Sequence, residues 1–207
     1  MPAEKRMSHQ ERSDLSDKLM LAAAVELILE KGTEKTTLKD VGEKAGYSRG
    51  LAGYRFGSKA GLFTFVLHAL SEYWLRDLQE ATRGKTGFDA ISAATLKYAE
   101  MFERNSDNIK AFYVLWFDAI SVHDEVKKVI VNIHQRRQKD LTQWILDDAS
   151  LSHCHDHASK FSAQYNASLN GIAYQALLMP EDVSGLQTLH EDLIQSMKVT
   201  LLKSNYS

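Results

Sequence analysis

The chain has 207 residues, 44% of them apolar and 25% charged, with a formal net charge of −2. That length can bury a substantial core in one or two domains, and the composition is that of a globular protein rather than a disordered or fibrous one. A single cysteine, Cys154, excludes an intramolecular disulfide and fits a reducing compartment. No run of 18 apolar residues and no signal-peptide core is present, so neither a membrane span nor export is expected, and the expected location is cytoplasmic. The charge is unevenly spread. Residues 1–62 hold 11 Lys/Arg against 9 Asp/Glu, and the rest of the chain 14 against 18, a sign that favours a polyanion at the N-terminal end.

No segment sustains the period-two alternation of a strand, so the expected fold is all-α, with about nine helices and no internal repeats. Residues 1–13, with Lys5, Arg6 and Arg12 among polar groups, show no periodicity and are read as a flexible N-terminal arm. From Ser16, the positions Met20, Ala24, Leu27 and Ile28 follow the helical repeat, and Gly32 closes this first helix. Thr37, followed three positions later by Asp40, is a capping-box pattern that opens a second helix through Leu38, Val41 and Ala45. Gly46 supplies a turn, and Ser48 is placed to cap a third helix. Helix, glycine turn and helix make a helix-turn-helix unit, whose second helix lies in the DNA major groove while the first crosses the backbone.

Arg49, Tyr54, Arg55 and Lys59 cluster in or just after that second helix. Phosphate contacts are expected from Thr37, Tyr54 and Lys59, and base reading from Arg49 and Arg55, since arginine pairs bidentately with guanine. Tyr47 serves either the DNA backbone or the hydrophobic seam, and Ser48 belongs to the same face. Gly50 and Gly53 make the reading helix intrinsically weak. The expected DNA-binding domain covers residues 14–57.

Residues 58–207 form the expected ligand-binding and dimerisation domain. Ser58 caps a long fourth helix through Leu62, Phe63, Val66, Leu70, Tyr73, Trp74 and Leu78 to about Thr82, whose positive N-terminal end can take a phosphate with Lys59. Past the 83–87 loop, a fifth helix puts Phe88, Ile91, Thr95, Tyr98 and Phe102 on one face. A sixth, over about 107–121, carries Phe112, Tyr113, Trp116 and Phe117. The seventh spans about 124–148, with Arg136 and Arg137 read as solvated. The eighth runs from about Asp156 to Leu178, ahead of Pro180, and the ninth from about Ser184 to Lys203. Tyr98, Phe102, Phe112, Trp116, Trp144 and Tyr165 are the candidate lining of a ligand chamber, with Tyr98, Asn166 and Asn170 as polar anchors.

The first third of the chain resembles the TetR family of bacterial transcription regulators. The resemblance is carried by Met20, Ala23, Ala24, Leu27, Ile28 and Gly32, then Val41, Ala45-Gly46, Ser48, Gly50, the run Phe56-Gly57-Ser58-Lys59, and Leu62, in register without a gap. Gly53 stands where the family usually has a phosphate-contacting tyrosine, and Arg55 where it often has histidine or tyrosine. The resemblance implies a homodimer formed by the last two helices, for which Gly171, Tyr174, Leu186, Leu189, Leu193 and Met197 are the candidate contacts. It also implies a double-stranded operator and a small-molecule effector, here expected to be largely apolar and neutral or weakly acidic. The expected function is a ligand-responsive regulator, a repressor on a palindromic operator, with no enzymatic activity, no cofactor and no membrane partner.

Two other patterns compete. His153, Cys154 and His157 lie in a dense set of potential metal ligands, so a metal-sensing or metal-binding helical protein is the alternative, although the spacing fits no standard zinc pattern. Gly46-Tyr47-Ser48-Arg49-Gly50 spells the nucleophile elbow of hydrolases, which needs a strand before the serine. Helical periodicity precedes Ser48 instead.

Overall fold

The computed structural model describes residues 7–104, 106–120, 124–179 and 181–203, without the side chains of Arg49, Ser106, Val183 and Lys203. Among the described residues there are nine α-helices, one 3-10 helix and no strand, and no helix is long and apolar enough to cross a membrane.

Helix α1 covers His9–Lys35, so it starts well before Ser16, and only residues 1–6 of the expected arm, Lys5 and Arg6 among them, lie outside the described residues. The cause is a full capping box that period counting overlooked. The Glu11 N–H donates to Ser8 Oγ at 3.1 Å, and the Ser8 N–H donates to Glu11 Oε2 at 2.6 Å. Both satisfy backbone donors that a helix start otherwise leaves open. Ser8's N–H, then its hydroxyl, hold the Glu11 carboxyl below its ordinary range. Gly32, at φ 79°, breaks the helical path, as its position in the sequence suggests.

Helices α2 (Leu38–Lys44), α3 (Arg49–Phe56) and α4 (Lys59–Thr82) follow at short intervals, and α2 packs on both α1 and α3. Then come α5 (Gly87–Arg104), α6 (Ser106–Asp118) and α7 (Asp124–Leu146). The stretch expected to be a polar loop is ordered, with residues 149–157 forming a 3-10 helix before α8 (Ala158–Leu178) and α9 (Val183–Lys203). Pro180, which the sequence marks as a break, lies outside the described residues.

The chain divides into two compact units: residues 1–70 with 107–129, and residues 71–106 with 130–207. The first therefore joins the three-helix module, the first half of α4 and nearly all of α6. Met20, Ala24, Ile28, Val41, Ala52, Leu62, Phe63 and Leu67 are buried in it. In the second unit, α9 packs on α5 and α8. Ile91, Tyr98, Ile145, Phe161, Tyr165, Leu193, Met197 and Leu201 share one apolar cluster.

The 3-10 segment fastens the end of α9. His153 Nε2 donates to the Leu201 carbonyl oxygen at 2.9 Å, and the Cys154 thiol donates to the same oxygen at 3.3 Å. That carbonyl is among the last four of its helix, which have no intrahelical partner. Burial pushes the Cys154 thiol up from its ordinary range. Arg136 is exposed, as expected, and Arg137 is half-buried. Arg136 donates to Glu72 Oε1 at 3.1 Å, and the Arg137 guanidinium lies 5.8 Å from the Tyr98 ring centroid, within cation–π reach.

Candidate nucleic-acid interface

The corner between α2 and α3 follows from two glycines. Gly46 has φ +80°, a left-handed conformation that a side chain would strain. There the Tyr47 N–H donates to the Gly42 carbonyl at 2.9 Å and the Gly46 N–H to the Glu43 carbonyl at 3.1 Å, the paired closure of a Schellman motif. A Cβ on Gly42 would meet the Ser48 carbonyl oxygen at 3.1 Å and Ala52 Cβ at 3.5 Å, so its bare backbone lets α3 approach α2 closely. At the opening of α2, the Asp40 N–H donates to Thr37 Oγ1 at 3.2 Å. The Asp40 carboxyl is held low by Lys31 first, then by the Thr37 hydroxyl.

On this frame the expected DNA-contacting residues separate into two groups. Thr37 and Ser48 are exposed, and Tyr54 is 91% exposed on α3. Ser48 sits at the N-cap of α3 but makes no side-chain capping bond, which differs from the expected cap. Tyr47 is half-buried. The side chain of Arg49 lies outside the described residues, while its backbone begins α3.

Arg55 and Lys59 are engaged within the module. The Arg55 guanidinium pairs with Asp17 of α1 and donates to Ser13 Oγ at 3.3 Å. Lys59 Nζ donates to the Glu34 carbonyl oxygen at 2.5 Å and lies 5.8 Å from the Phe63 ring centroid. Lys44 is paired likewise, with Glu26 and Glu30, and Glu26 is the first cause of its raised pKa. Ser58 does cap α4, accepting from the Gly61 N–H at 2.9 Å.

The residues expected to line a ligand chamber fall in both units. Phe112 and Trp116 sit on α6 in the first, with ring centroids 5.6 Å apart. The second holds Tyr98, Phe102, Trp144, Tyr165, Asn166 and Asn170. There Tyr98 and Phe102 make an edge-on pair at 5.2 Å. Thr95 Oγ1 donates to the Ile91 carbonyl at 2.8 Å, which leaves the Tyr165 hydroxyl to donate to Thr95 Oγ1 at 2.7 Å. Burial pushes the Tyr165 hydroxyl up to about 12. Asn166 is buried, with no hydrogen-bond partner at Nδ2.

Sequence reasoning overlooked His190. It is 3% exposed on α9, beside Tyr98 and Phe102, with ring centroids at 6.3 and 6.4 Å. The signal was available, because position 190 continues the helical spacing of Leu186, Leu193 and Met197.

Of the expected dimer contacts, Gly171 and Tyr174 are exposed on α8, and Leu186 and Leu189 pack half-buried against the apolar cluster. Leu193 and Met197 are buried within it. Leu178, Val199 and Leu202 are at least half exposed instead.

Among the described residues, no three His, Cys, Asp or Glu side chains come together. His153 and Cys154 are spent on α9, and His157 stands edge-on to Phe161. The strand that a nucleophile elbow needs before Ser48 is replaced by α2.

Residues 20–65 match the family described as bacterial regulatory proteins, tetR family. No curated protein sequence matches the chain. Among solved structures, the fold is similar to a transcriptional regulator from Rhodococcus sp. Rha1, at 21% identity over 88% of this chain and 95% of that one, with a TM-score of 0.75. It is also similar to NalD of Pseudomonas aeruginosa, the secondary repressor of the MexAB-OprM multidrug efflux pump, at 20% identity over 95% and 100%, TM-score 0.69. SmeT, solved as a complex with triclosan, gives 16% identity over 87% and 90%, TM-score 0.69.

Proposed function

We propose that this chain, whose residues 20–65 match the bacterial regulatory proteins of the tetR family, is a DNA-binding regulator of that kind: a cytoplasmic repressor released from its operator by a small molecule. Residues 14–57 act as the DNA-binding domain and 58–207 as the ligand-binding and dimerisation domain. The observation that carries this reading is the α2–α3 corner. Two short helices are locked by Gly42 and Gly46, and the second presents Tyr54 to solvent. NalD is a repressor, which favours repression here, and SmeT binds triclosan, which favours a small-molecule ligand.

A homodimer is supported by α8 and α9. Tyr174, Leu178, Val199 and Leu202 are exposed apolar side chains, and a Cβ on Gly171 would meet nothing within 4 Å. Two-fold pairing would set the reading helices about 34–36 Å apart, one DNA turn, on a palindromic site. The effector works by differential affinity: it binds best the dimer conformation whose reading helices depart from operator spacing, and operator must weaken effector binding by the same factor.

The test is a mobility shift with random duplex pools, followed by sequencing of the retained DNA. A palindrome with half-sites one helical turn apart is expected, and a retained pool with no enriched sequence would overturn the reading.

A further inference from the structure

His190 is a buried imidazole with one side committed and the other open. Its Nδ1 lies 2.7 Å from the Leu186 carbonyl oxygen, which can only accept, so the ring proton sits on Nδ1. Burial lowers its affinity for a second proton, with the bond to Leu186 acting in the opposite direction. The ring is therefore neutral and Nε2 carries a lone pair. That atom is buried and has no hydrogen-bond partner. Leaving a buried acceptor unsatisfied is unfavourable, and a satisfied or apolar alternative at position 190 would avoid that cost.

The surroundings indicate what could satisfy it. Tyr98 and Phe102 of α5 pair edge-on with each other and flank the imidazole. Such an aromatic wall suits a flat apolar body. Phe102, Leu186 and Leu189 pack on the same cluster but are only partly buried, so the histidine lies near the edge of the core. A lone pair repels a carboxylate or carbonyl oxygen. A cationic donor would need a compensating negative charge, and the buried polar side chains of the described residues include no Asp or Glu.

We infer that His190, with Tyr98 and Phe102, forms the recognition end of the effector site and takes a neutral aromatic molecule whose hydroxyl or ring N–H donates to His190 Nε2. This rests on the reading of the chain as an effector-controlled regulator, and it names the chemistry that the effector must carry.

The test uses the full chain and two probes differing by one donor, 1-naphthol and 1-methoxynaphthalene, each titrated by fluorescence. Wild-type protein is expected to bind 1-naphthol about tenfold more tightly, the discrimination one buried hydrogen bond supplies. His190→Phe is expected to erase that preference while still binding both. Nitrogen-15 spectra of the imidazoles add a readout free of any variant, since the His190 Nε2 resonance should move with 1-naphthol and stay with the ether. Equal binding of the probes to wild-type protein, a preference that persists in His190→Phe, an unmoved Nε2 resonance, or no binding of either probe would each overturn the inference. A mobility shift run in parallel separates the two failures: sequence-selective DNA retention without the probe preference removes only this site, whereas the preference without selective DNA retention removes only the regulator reading.

Discussion

Tyr54 and Arg55 are neighbours in the chain with opposite attachments, and the contrast decides what each substitution measures. Tyr54 projects into solvent, so Tyr54→Ala should weaken DNA binding while leaving folding stability within about 0.5 kcal/mol of wild type. Arg55 is fastened to Asp17 and Ser13 of α1. Arg55→Ala should therefore lower both DNA affinity and folding stability, the latter by up to about 1 kcal/mol. Paired thermal melts and mobility shifts check this, and an Arg55→Ala protein with an unchanged melt would show that the ion pair contributes nothing to the fold. His190 gives a pH dependence with a definite sign. Its folded-state pKa is depressed below the ordinary 6.5 by burial, so between the two values the unfolded chain takes up a proton that the folded chain refuses. Stability is then complete above about pH 6.5 and is lost as pH falls toward the folded-state value. Denaturant midpoints measured from about pH 7.5 to 5 should fall, and His190→Phe should flatten this part of the slope.

At the level of helices, α3 carries glycine where the frame does not demand it. A Cβ on Gly53 would meet nothing within 4 Å, so Gly53→Ala should stabilise the chain by about 0.5–1 kcal/mol through helix propensity alone. Gly42→Ala should cost stability, because its Cβ would press on the Ser48 carbonyl at 3.1 Å. Melting curves of the two variants are expected to move in opposite directions. The same glycines show what was legible in the sequence. The spacing Thr37, Gly46, Ser48, Ser58 announces helix starts and stops because caps and left-handed turns depend on a few neighbouring residues. The start of α1 needed no apolar period at all, only Ser8 and Glu11, and counting periodicity therefore placed it too late. The partners of Arg55 and Lys59 were not legible. Asp17 is 38 residues before Arg55 in the sequence, and pairings across such separations are set by tertiary packing rather than local pattern. The 149–157 segment was misjudged for the same reason: its polar side chains are ordered by a carbonyl on α9.

For the whole molecule, the property to test is the pairing of two chains. Exposed Tyr174 and Leu202 are the residues on which to test it. Tyr174→Glu with Leu202→Glu should shift the sedimentation coefficient from dimer to monomer and, with half-sites no longer coupled, reduce operator affinity by orders of magnitude. The same changes at Leu193 and Met197 would instead unfold the second unit, since both are buried within one chain. A sedimentation profile unaltered by the double substitution would place any dimer interface elsewhere.

The shared cluster of Ile91, Tyr98, Leu193, Met197 and Leu201 sets a timetable for biosynthesis. Contacts between residues about a hundred positions apart form late and slowly, and this core stays open until residue 201 has cleared the ribosome. The α1–α3 module has all three of its helices in hand by residue 56. A nascent chain thus has these three helices available while the core of the second unit is still being translated, and premature termination before residue 201 would release them without that core.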